Sequence, residues 1–174
     1  MTPVVTASAT SLDGFDTYTL AVTLTGDATN VYTIYGTTDS PMSVPAGYQE
    51  ATPFGANTGG TNPAFWAVMA GAEFDSWLTI GVTDGTAVGA ISASPGFDIA
   101  SLWTATTGIT QDNAAIFYMD PATMGANAGD APIVMAQMTV SAATVAAGGT
   151  ATAQLQGRST GGAEDWTYAA TWAW

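Results

Sequence analysis

The sequence predicts an all-β protein, an antiparallel two-sheet β-sandwich with long loops, and three observations carry this prediction. Apolar and polar residues alternate with a period of two along several segments, which is the spacing of half-buried strands. Segments rich in glycine, proline, asparagine and threonine separate these strands and are too irregular for βαβ crossovers. No segment has convincing amphipathic helical spacing; the least clear, residues 142–147, ends at Gly148 and Gly149. We expect one domain spanning residues 1–174.

The clearest strand is predicted over residues 17–25, where Tyr18, Leu20, Val22 and Leu24 alternate with threonine and alanine. A turn-forming run, residues 26–29, follows it. Because residues 30–35 then begin a second strand, a hairpin is expected between the two segments. Further strands are predicted over residues 4–9, 65–69, 77–82, 88–92, 115–119, 133–140, 150–158 and 166–174, and long loops over residues 41–62, 94–112 and 120–132.

The last two strands form a hairpin whose register the residues specify. Placing Arg158 opposite Asp165 satisfies the one possible salt bridge and gives each large aromatic residue of the final strand a smaller partner. The predicted pairs are Gly157 with Trp166, Leu155 with Tyr168, Ala153 with Ala170 and Ala151 with Trp172, and on the other face Gln156 with Thr167, Gln154 with Ala169 and Thr152 with Thr171.

The composition excludes most catalytic chemistry. The chain has no histidine and no cysteine, and Arg158 is its one cation against 14 acidic residues, for a net charge of −13. Nucleophile–imidazole pairs, Schiff-base lysines and ordinary zinc, copper, haem or iron–sulfur sites are therefore excluded. A single arginine and the acidic balance argue against nucleic acids and anionic membranes as partners.

No basic segment followed by an apolar run opens the sequence, so no signal peptide is recognised. The chain is therefore either cytosolic or a mature or excised piece of a secreted protein. The most apolar stretch, residues 64–72, falls far short of the roughly 20 residues that cross a bilayer, so no membrane insertion is expected.

Calcium is the metal that the oxygen-bearing side chains suit best. Asp112, Asn113 and Asp120 are the candidate ligands, although no segment matches an EF-hand loop. The alternative, which the neighbouring glycine, asparagine and threonine residues favour, is that the aspartates form turns. No cofactor is expected.

A second hypothesis is a carbohydrate-binding or adhesion module. Aromatic faces stack on the apolar faces of sugars, and Tyr48, Phe54 and Trp66, with Asn57 or Gln49 nearby, are the candidate ligand-binding residues. The alternative is that most rings fill the core, since the 18 aromatic residues (six each of Trp, Tyr and Phe) cannot all lie on the surface of one domain.

A third hypothesis is a glycoside hydrolase that works with carboxylates alone. Such an enzyme needs two acids in one cleft, about 5 Å or about 6.5–9.5 Å apart. Glu50, Glu73 and Asp75 are the candidates, with Glu164 and Asp165, but their spacing carries no signature and Asp165 is better used in pairing with Arg158. We therefore expect no catalytic residues.

Several segments resemble a repeat module of large secreted or surface proteins of marine algae and microbes. The resemblance covers nearly the whole chain and is carried by residues 30–36, 41–49, 53–57, 62–65, 74–81, 136–140, 156–159 and 164–166. It implies a modular β domain located outside the cell or at the cell surface, and it implies no reaction. Because no signal peptide is recognised, a domain at that location is expected to be a processed or excised piece of a longer protein.

Taken together, these features favour a non-enzymatic structural module, a subunit of a surface layer, appendage or filament. Charged residues make up only 9% of the chain, so the surface is rich in threonine, glycine and alanine and suits tight subunit packing. The aromatic final strand either is tucked into its own sheet or pairs with a neighbour. A homo-oligomer or polymer is the expected assembly, and glycans are the alternative partner.

Overall fold

The computed structural model describes residues 1–87, 89–120, 126–129, 131–161 and 164–174. Helices are short: α1 (Ile99–Leu102), α2 (Ala142–Ala146) and two 3₁₀ helices at Pro63–Phe65 and Ala70–Phe74. The strands are β1 (Thr2–Ala7), β2 (Phe15–Thr23), β3 (Thr33–Tyr35), β4 (Met42–Val44), β5 (Trp77–Leu78), β6 (Ile91–Ala93), β7 (Ile109–Gln111), β8 (Ala115–Tyr118), β9 (Ile133–Ser141), β10 (Thr150–Arg158) and β11 (Asp165–Ala173).

The strands form two antiparallel sheets, which confirms the predicted all-β, two-sheet architecture. The four-stranded sheet has the order β1-β2-β9-β5. The seven-stranded sheet has the order β6-β8-β3-β10-β4-β7, with β11 paired to β10. In that sheet β3 and β4 share one edge of β10, and β11 occupies the other. None of the helices among the described residues has the length and apolarity that crossing a membrane requires.

The core lies between the sheets and follows the alternation of the strands. Leu20 and Met138 from the four-stranded sheet and Ile34, Ile116 and Leu155 from the seven-stranded sheet are almost completely buried. Burying one such aliphatic side chain contributes about 1.5–3 kcal/mol, so this interface supplies much of the stabilising free energy.

The predicted register of the final hairpin is confirmed at every pair from Arg158–Asp165 to Ala151–Trp172. Trp172 crosses the core and donates its indole N–H to the carbonyl of Ala21 in the other sheet at 2.7 Å. At the hairpin end, the Trp166 ring lies over Gly157, where an added Cβ would come within 2.5 Å of the ring. Glycine is therefore required at 157 by the close approach of the Asn30 carbonyl and of the Trp166 ring, not by backbone conformation.

The predicted hairpin between residues 17–25 and 30–35 is wrong. Strand β2 pairs with β1 and β9 in the four-stranded sheet, whereas β3 pairs with β8 and β10 in the other sheet. The connecting segment, residues 24–32, therefore crosses between sheets, and Thr29 and Tyr32 donate their backbone N–H groups to carbonyls of β10. The alternation identified both strands correctly, but alternation does not specify the partner of a strand.

The strand predicted over residues 65–69 is also wrong. Asn62 caps a 3₁₀ helix by accepting a hydrogen bond from the N–H of Ala64 at 2.9 Å, and Pro63 occupies its first turn. An asparagine cap followed by proline is a helix-start signal, and it outweighs the apolar run that follows.

Other strands are shorter than predicted or were missed. Of the strand predicted over residues 77–82, only Trp77–Leu78 is a strand. Thr79 and Gly81 still donate their backbone N–H groups to carbonyls of β9. The predicted strand 88–92 begins at Val88, which lies outside the described residues, and the observed strand is Ile91–Ala93. Strands β4 and β7, each three residues long, pair with one another inside segments expected to be loops.

Replacing Gly157 with alanine is expected to destabilise the protein. The added methyl group would collide with the Trp166 ring and with the backbone carbonyl of Asn30, and overpacking of this kind costs about 1–3 kcal/mol. Urea unfolding measures the loss. Gly129→Ala is the matched control, because an added Cβ there meets no atom within 4 Å; equal unfolding free energies for the two variants would contradict the packing described.

Removing the charge of Arg158 is expected to have little effect. Its guanidinium nitrogen lies 3.8 Å from a carboxylate oxygen of Asp165, and the two side chains are 57% and 38% exposed. Exposed pairs contribute about 0–1 kcal/mol, so Arg158→Gln should change the unfolding free energy by less than about 1 kcal/mol. A loss above about 2 kcal/mol, measured by urea unfolding, would mean that the pair holds the hairpin together.

Candidate functional site

A cluster of hydrogen bonds holds the segment 47–76 against β9 at Thr139, just beyond the residues of β9 that pair with β5. The N–H of Tyr48 donates to the carbonyl of Thr139 at 2.7 Å, and the N–H of Ser76 donates to the carbonyl of Tyr48 at 3.0 Å. The hydroxyl of Ser76 accepts from the N–H of Thr139 at 3.0 Å. The backbone of Tyr48 thus extends the hydrogen bonding of β9 beyond β5. This attachment brings side chains of the segment 47–76 close to β9.

Asp75 is the buried anchor of this cluster. Its side chain has no exposed surface, and its two oxygens accept backbone N–H groups of Glu50 at 2.7 Å and Ala56 at 2.6 Å. Burial raises the pKa of Asp75 from 3.8 to about 6, although the hydrogen bonds from these N–H groups oppose that rise. Asp75 therefore positions the loop 50–56 and is inaccessible to a ligand.

Tyr48 and Glu50 form a second polar contact beside Asp75. The Tyr48 hydroxyl donates to a Glu50 carboxylate oxygen at 2.8 Å, and the other oxygen accepts from the N–H of Ala51 at 2.8 Å. Burial, with the hydrogen bond to Glu50, raises the pKa of Tyr48 to about 12. Both oxygens of Glu50 are thus engaged within the protein.

An open pocket of about 260 Å³ lies beside this cluster. Strands β2 and β9 contribute residues from the four-stranded sheet, and the segment from residue 61 to residue 83 contributes the rest. Its lining combines two indoles with hydroxyl, amide and carboxylate groups: Thr19, Thr61, Trp66, Glu73, Trp77, Thr83, Val134 and Gln137. Among the described residues that line it, Glu73 is the one carboxylate and there is no cation.

Three lining side chains are fixed by hydrogen bonds within the protein. The amide nitrogen of Gln137 donates to the carbonyls of Glu73 at 2.9 Å and Asp75 at 2.8 Å, which directs its Oε1 away from them. The indole N–H of Trp66 donates to the Thr61 hydroxyl at 3.1 Å, and that hydroxyl donates to the carbonyl of Ala72 at 2.6 Å. Internal hydrogen bonds therefore hold Gln137, Trp66 and Thr61 in place around the pocket.

The candidate carbohydrate-binding residues do not form one exposed row. Trp66 lines the pocket, whereas the Phe54 ring packs edge-on against Phe65 with centroids 5.5 Å apart. The Tyr48 ring packs against Phe15, and the Gln49 amide donates to the carbonyl of Ser76 at 3.0 Å. The backbone carbonyl of Asn57 accepts from the N–H of Leu78. All five candidates are partly buried.

The candidate calcium ligands lie at the two ends of β8. Asp112 and Asn113 are exposed in the turn before this strand, and exposed Asp120 follows it. Among the described residues no three acidic side chains lie close enough together to hold a metal ion. The length of β8 thus separates Asp120 from Asp112 and Asn113.

The sequence singled out Trp66 and Glu73 separately, but it missed the residues that complete the pocket. Thr19, Thr83 and Gln137 are far apart in the chain, and only the pairing of β2 and β9 brings Thr19 opposite Gln137. Gln137, placed among the apolar residues 133–136 and Met138 of β9, was the one local signal, since such a side chain needs partners.

Asp75 is expected to make stability depend on pH. A carboxyl group whose pKa is higher in the folded state stabilises the fold when protonated, so this contribution is present below pH 4 and is lost as the pH rises to about 6. The loss is on the order of 2–3 kcal/mol. Urea unfolding from pH 4 to pH 7 should show this decline in the wild type and a weaker one in Asp75→Asn. The matched control, exposed Asp16→Asn, should retain it; parallel curves for wild type and Asp75→Asn would contradict the burial of this carboxyl.

Comparison of the chain with protein-family models, with curated protein sequences and with solved structures gave no match. Function is therefore inferred from the geometry of the chain itself. Two features of the described residues bear on function: the pocket between Trp66 and Gln137, and the outer edge of β11.

Proposed function

We propose that this chain is a non-enzymatic structural module of an extracellular assembly and that it associates with copies of itself through β11. The observation that carries the proposal is the outer edge of this strand. Among the described residues β11 has a ladder partner only in β10, and it is nine residues long. A strand of this length with one free edge is a template for pairing with another chain.

The residues that face the free edge follow from the ladder. The N–H of Trp174 donates to the carbonyl of Gly149 and the N–H of Ser159 donates to that of Glu164, so even-numbered residues of β11 bond to β10. In an antiparallel ladder the intervening residues point their backbone groups the other way. The free edge is therefore formed by the N–H and carbonyl groups of Asp165, Thr167, Ala169, Thr171 and Ala173.

This edge has none of the usual protection against pairing. Natural edge strands are blunted by lysine, proline or β-bulges, and β11 has no lysine, no proline and an unbroken register with β10. Its exposed side chains beyond Asp165 are threonine and alanine. By contrast β1, an edge of the other sheet that lies beside β11, carries Pro3.

The charges of the larger sheet do not oppose pairing of β11 with a second copy of this chain. The seven strands of the larger sheet contain two charged residues, Arg158 and Asp165, whose charges cancel. The net charge of −13 of the chain therefore comes from residues outside these strands. An antiparallel two-fold pairing centred on Ala169 places Asp165 opposite Ala173 of the other copy. The two Asp165 carboxylates then lie about 27 Å apart, at a rise of about 3.4 Å per residue. Such a pairing avoids like-charge repulsion along its whole length.

Proline at position 169 is expected to block association. Ala169→Pro removes an outward N–H, leaves the ladder with β10 intact and is compatible with an edge strand. Sedimentation equilibrium should show concentration-dependent dimers or larger species for the wild type and monomers for Ala169→Pro. Ala169→Ser, which keeps the N–H, is the matched control and should associate like the wild type.

Association is also expected to strengthen with salt. The acidic side chains outside the larger sheet repel between copies, and raising the ionic strength from 0.1 M to 1 M shortens the screening length from about 10 Å to about 3 Å. A wild type that stays monomeric at every salt concentration, or an Ala169→Pro variant that associates as well as Ala169→Ser, would rule out the proposed pairing.

A further inference from the structure

We propose that the pocket between Trp66 and Gln137 binds a neutral saccharide. This proposal does not depend on the association of β11, because the pocket lies on residues of the four-stranded sheet and of the segment 61–83. The ligand class follows from the chemistry of the lining, from its charge and from the partners that its side chains already have.

The pocket offers hydrogen-bonding groups suited to hydroxyl ligands. Gln137 uses its amide nitrogen on two carbonyls, which leaves Oε1 as the acceptor it offers a ligand. Glu73 is exposed and adds a carboxylate, and Thr19 and Thr83 add hydroxyl groups that both donate and accept. A sugar hydroxyl is likewise both donor and acceptor, so it matches every one of these groups.

The indoles supply the apolar part of the site. Trp66 is partly exposed, and its one polar atom, the indole N–H, is already bonded to Thr61. It therefore presents a ligand with carbon surface, which suits the C–H face of a sugar ring. A purely apolar ligand would instead remove Glu73 and Gln137 from water without replacing their hydrogen bonds, which is unfavourable.

Charge excludes anionic ligands. The one cation of the chain, Arg158, lies at the end of β10 and pairs with Asp165, so it does not line the pocket. Glu73 and the net charge of −13 repel phosphates, sulfated sugars and uronic acids. The volume of about 260 Å³ lies just below the usual range of small-molecule sites, which fits a short or terminal sugar segment.

The test measures binding of neutral trisaccharides of glucose, mannose, galactose and xylose to the whole chain by isothermal titration calorimetry. At least one probe should bind, and Glu73→Gln should weaken it about tenfold by replacing a charged acceptor with a neutral one. Glu164→Gln is the matched control, since it makes the same change beside the last hairpin, and its affinity should equal that of the wild type.

Nuclear magnetic resonance of the indole N–H groups locates the site independently of any substitution. The Trp66 signal should shift on titration, whereas that of Trp103, which is buried and donates to the carbonyl of Pro45, should not. Absence of binding by all four probes at millimolar concentration would overturn the proposal. So would equal affinities of Glu73→Gln and Glu164→Gln, or binding that leaves the Trp66 signal unmoved.

Discussion

The pairing of β10 with β11 is the constraint on which the rest of the larger sheet depends. Strand β10 holds β3 and β4 on one edge and β11 on the other, so seven strands are organised around one nine-residue segment. Its inward residues are Ala151, Ala153, Leu155 and Gly157. The three that face a ring of β11 are Ala151, Leu155 and Gly157, and each is smaller than its partner. Small residues on one strand thus make room for rings on its neighbour, and Trp172 uses that room to reach Ala21 across the core.

The same pairing leaves β11 as the outermost strand of its sheet on that side. Because β10 takes the even-numbered backbone groups of β11, the odd-numbered ones remain for a further partner. Beyond Asp165 this edge combines free backbone groups with small uncharged side chains, because most acidic residues lie in loops. A chain with a net charge of −13 thereby has a single acidic side chain, at one end, along the edge where a second copy is proposed to bind.

Strand pairing was predicted correctly where two strands that are consecutive in the chain also pair with each other in the sheet. The final hairpin is such a case, since the sizes of its side chains and its two charges admit one register. Strands β2 and β3 are adjacent in the chain but belong to different sheets, and a local pattern cannot distinguish that arrangement from a hairpin. Strands β4 and β7 were missed because three residues are too few to show alternation.

The pocket was predictable only in part for a similar reason. Aromatic and acidic character marked Trp66 and Glu73 as candidates, but Gln137 joins them through the pairing of β9 with β5 and through bonds to the carbonyls of Glu73 and Asp75. These contacts link residues more than 60 positions apart. Side-chain type therefore identified what the pocket contains, and long-range strand pairing determined where it forms.

Residue-resolved hydrogen exchange of β11 is the most direct test of self-association through its outer edge. The amides of Trp166, Tyr168 and Ala170 bond to β10 and should be protected at every protein concentration. The amides of Thr167, Ala169 and Thr171 should exchange rapidly in dilute, low-salt solution and become protected as protein and salt concentrations rise. Rapid exchange of these three amides under all conditions would contradict self-association through β11, and protection already present in dilute solution would contradict a free edge.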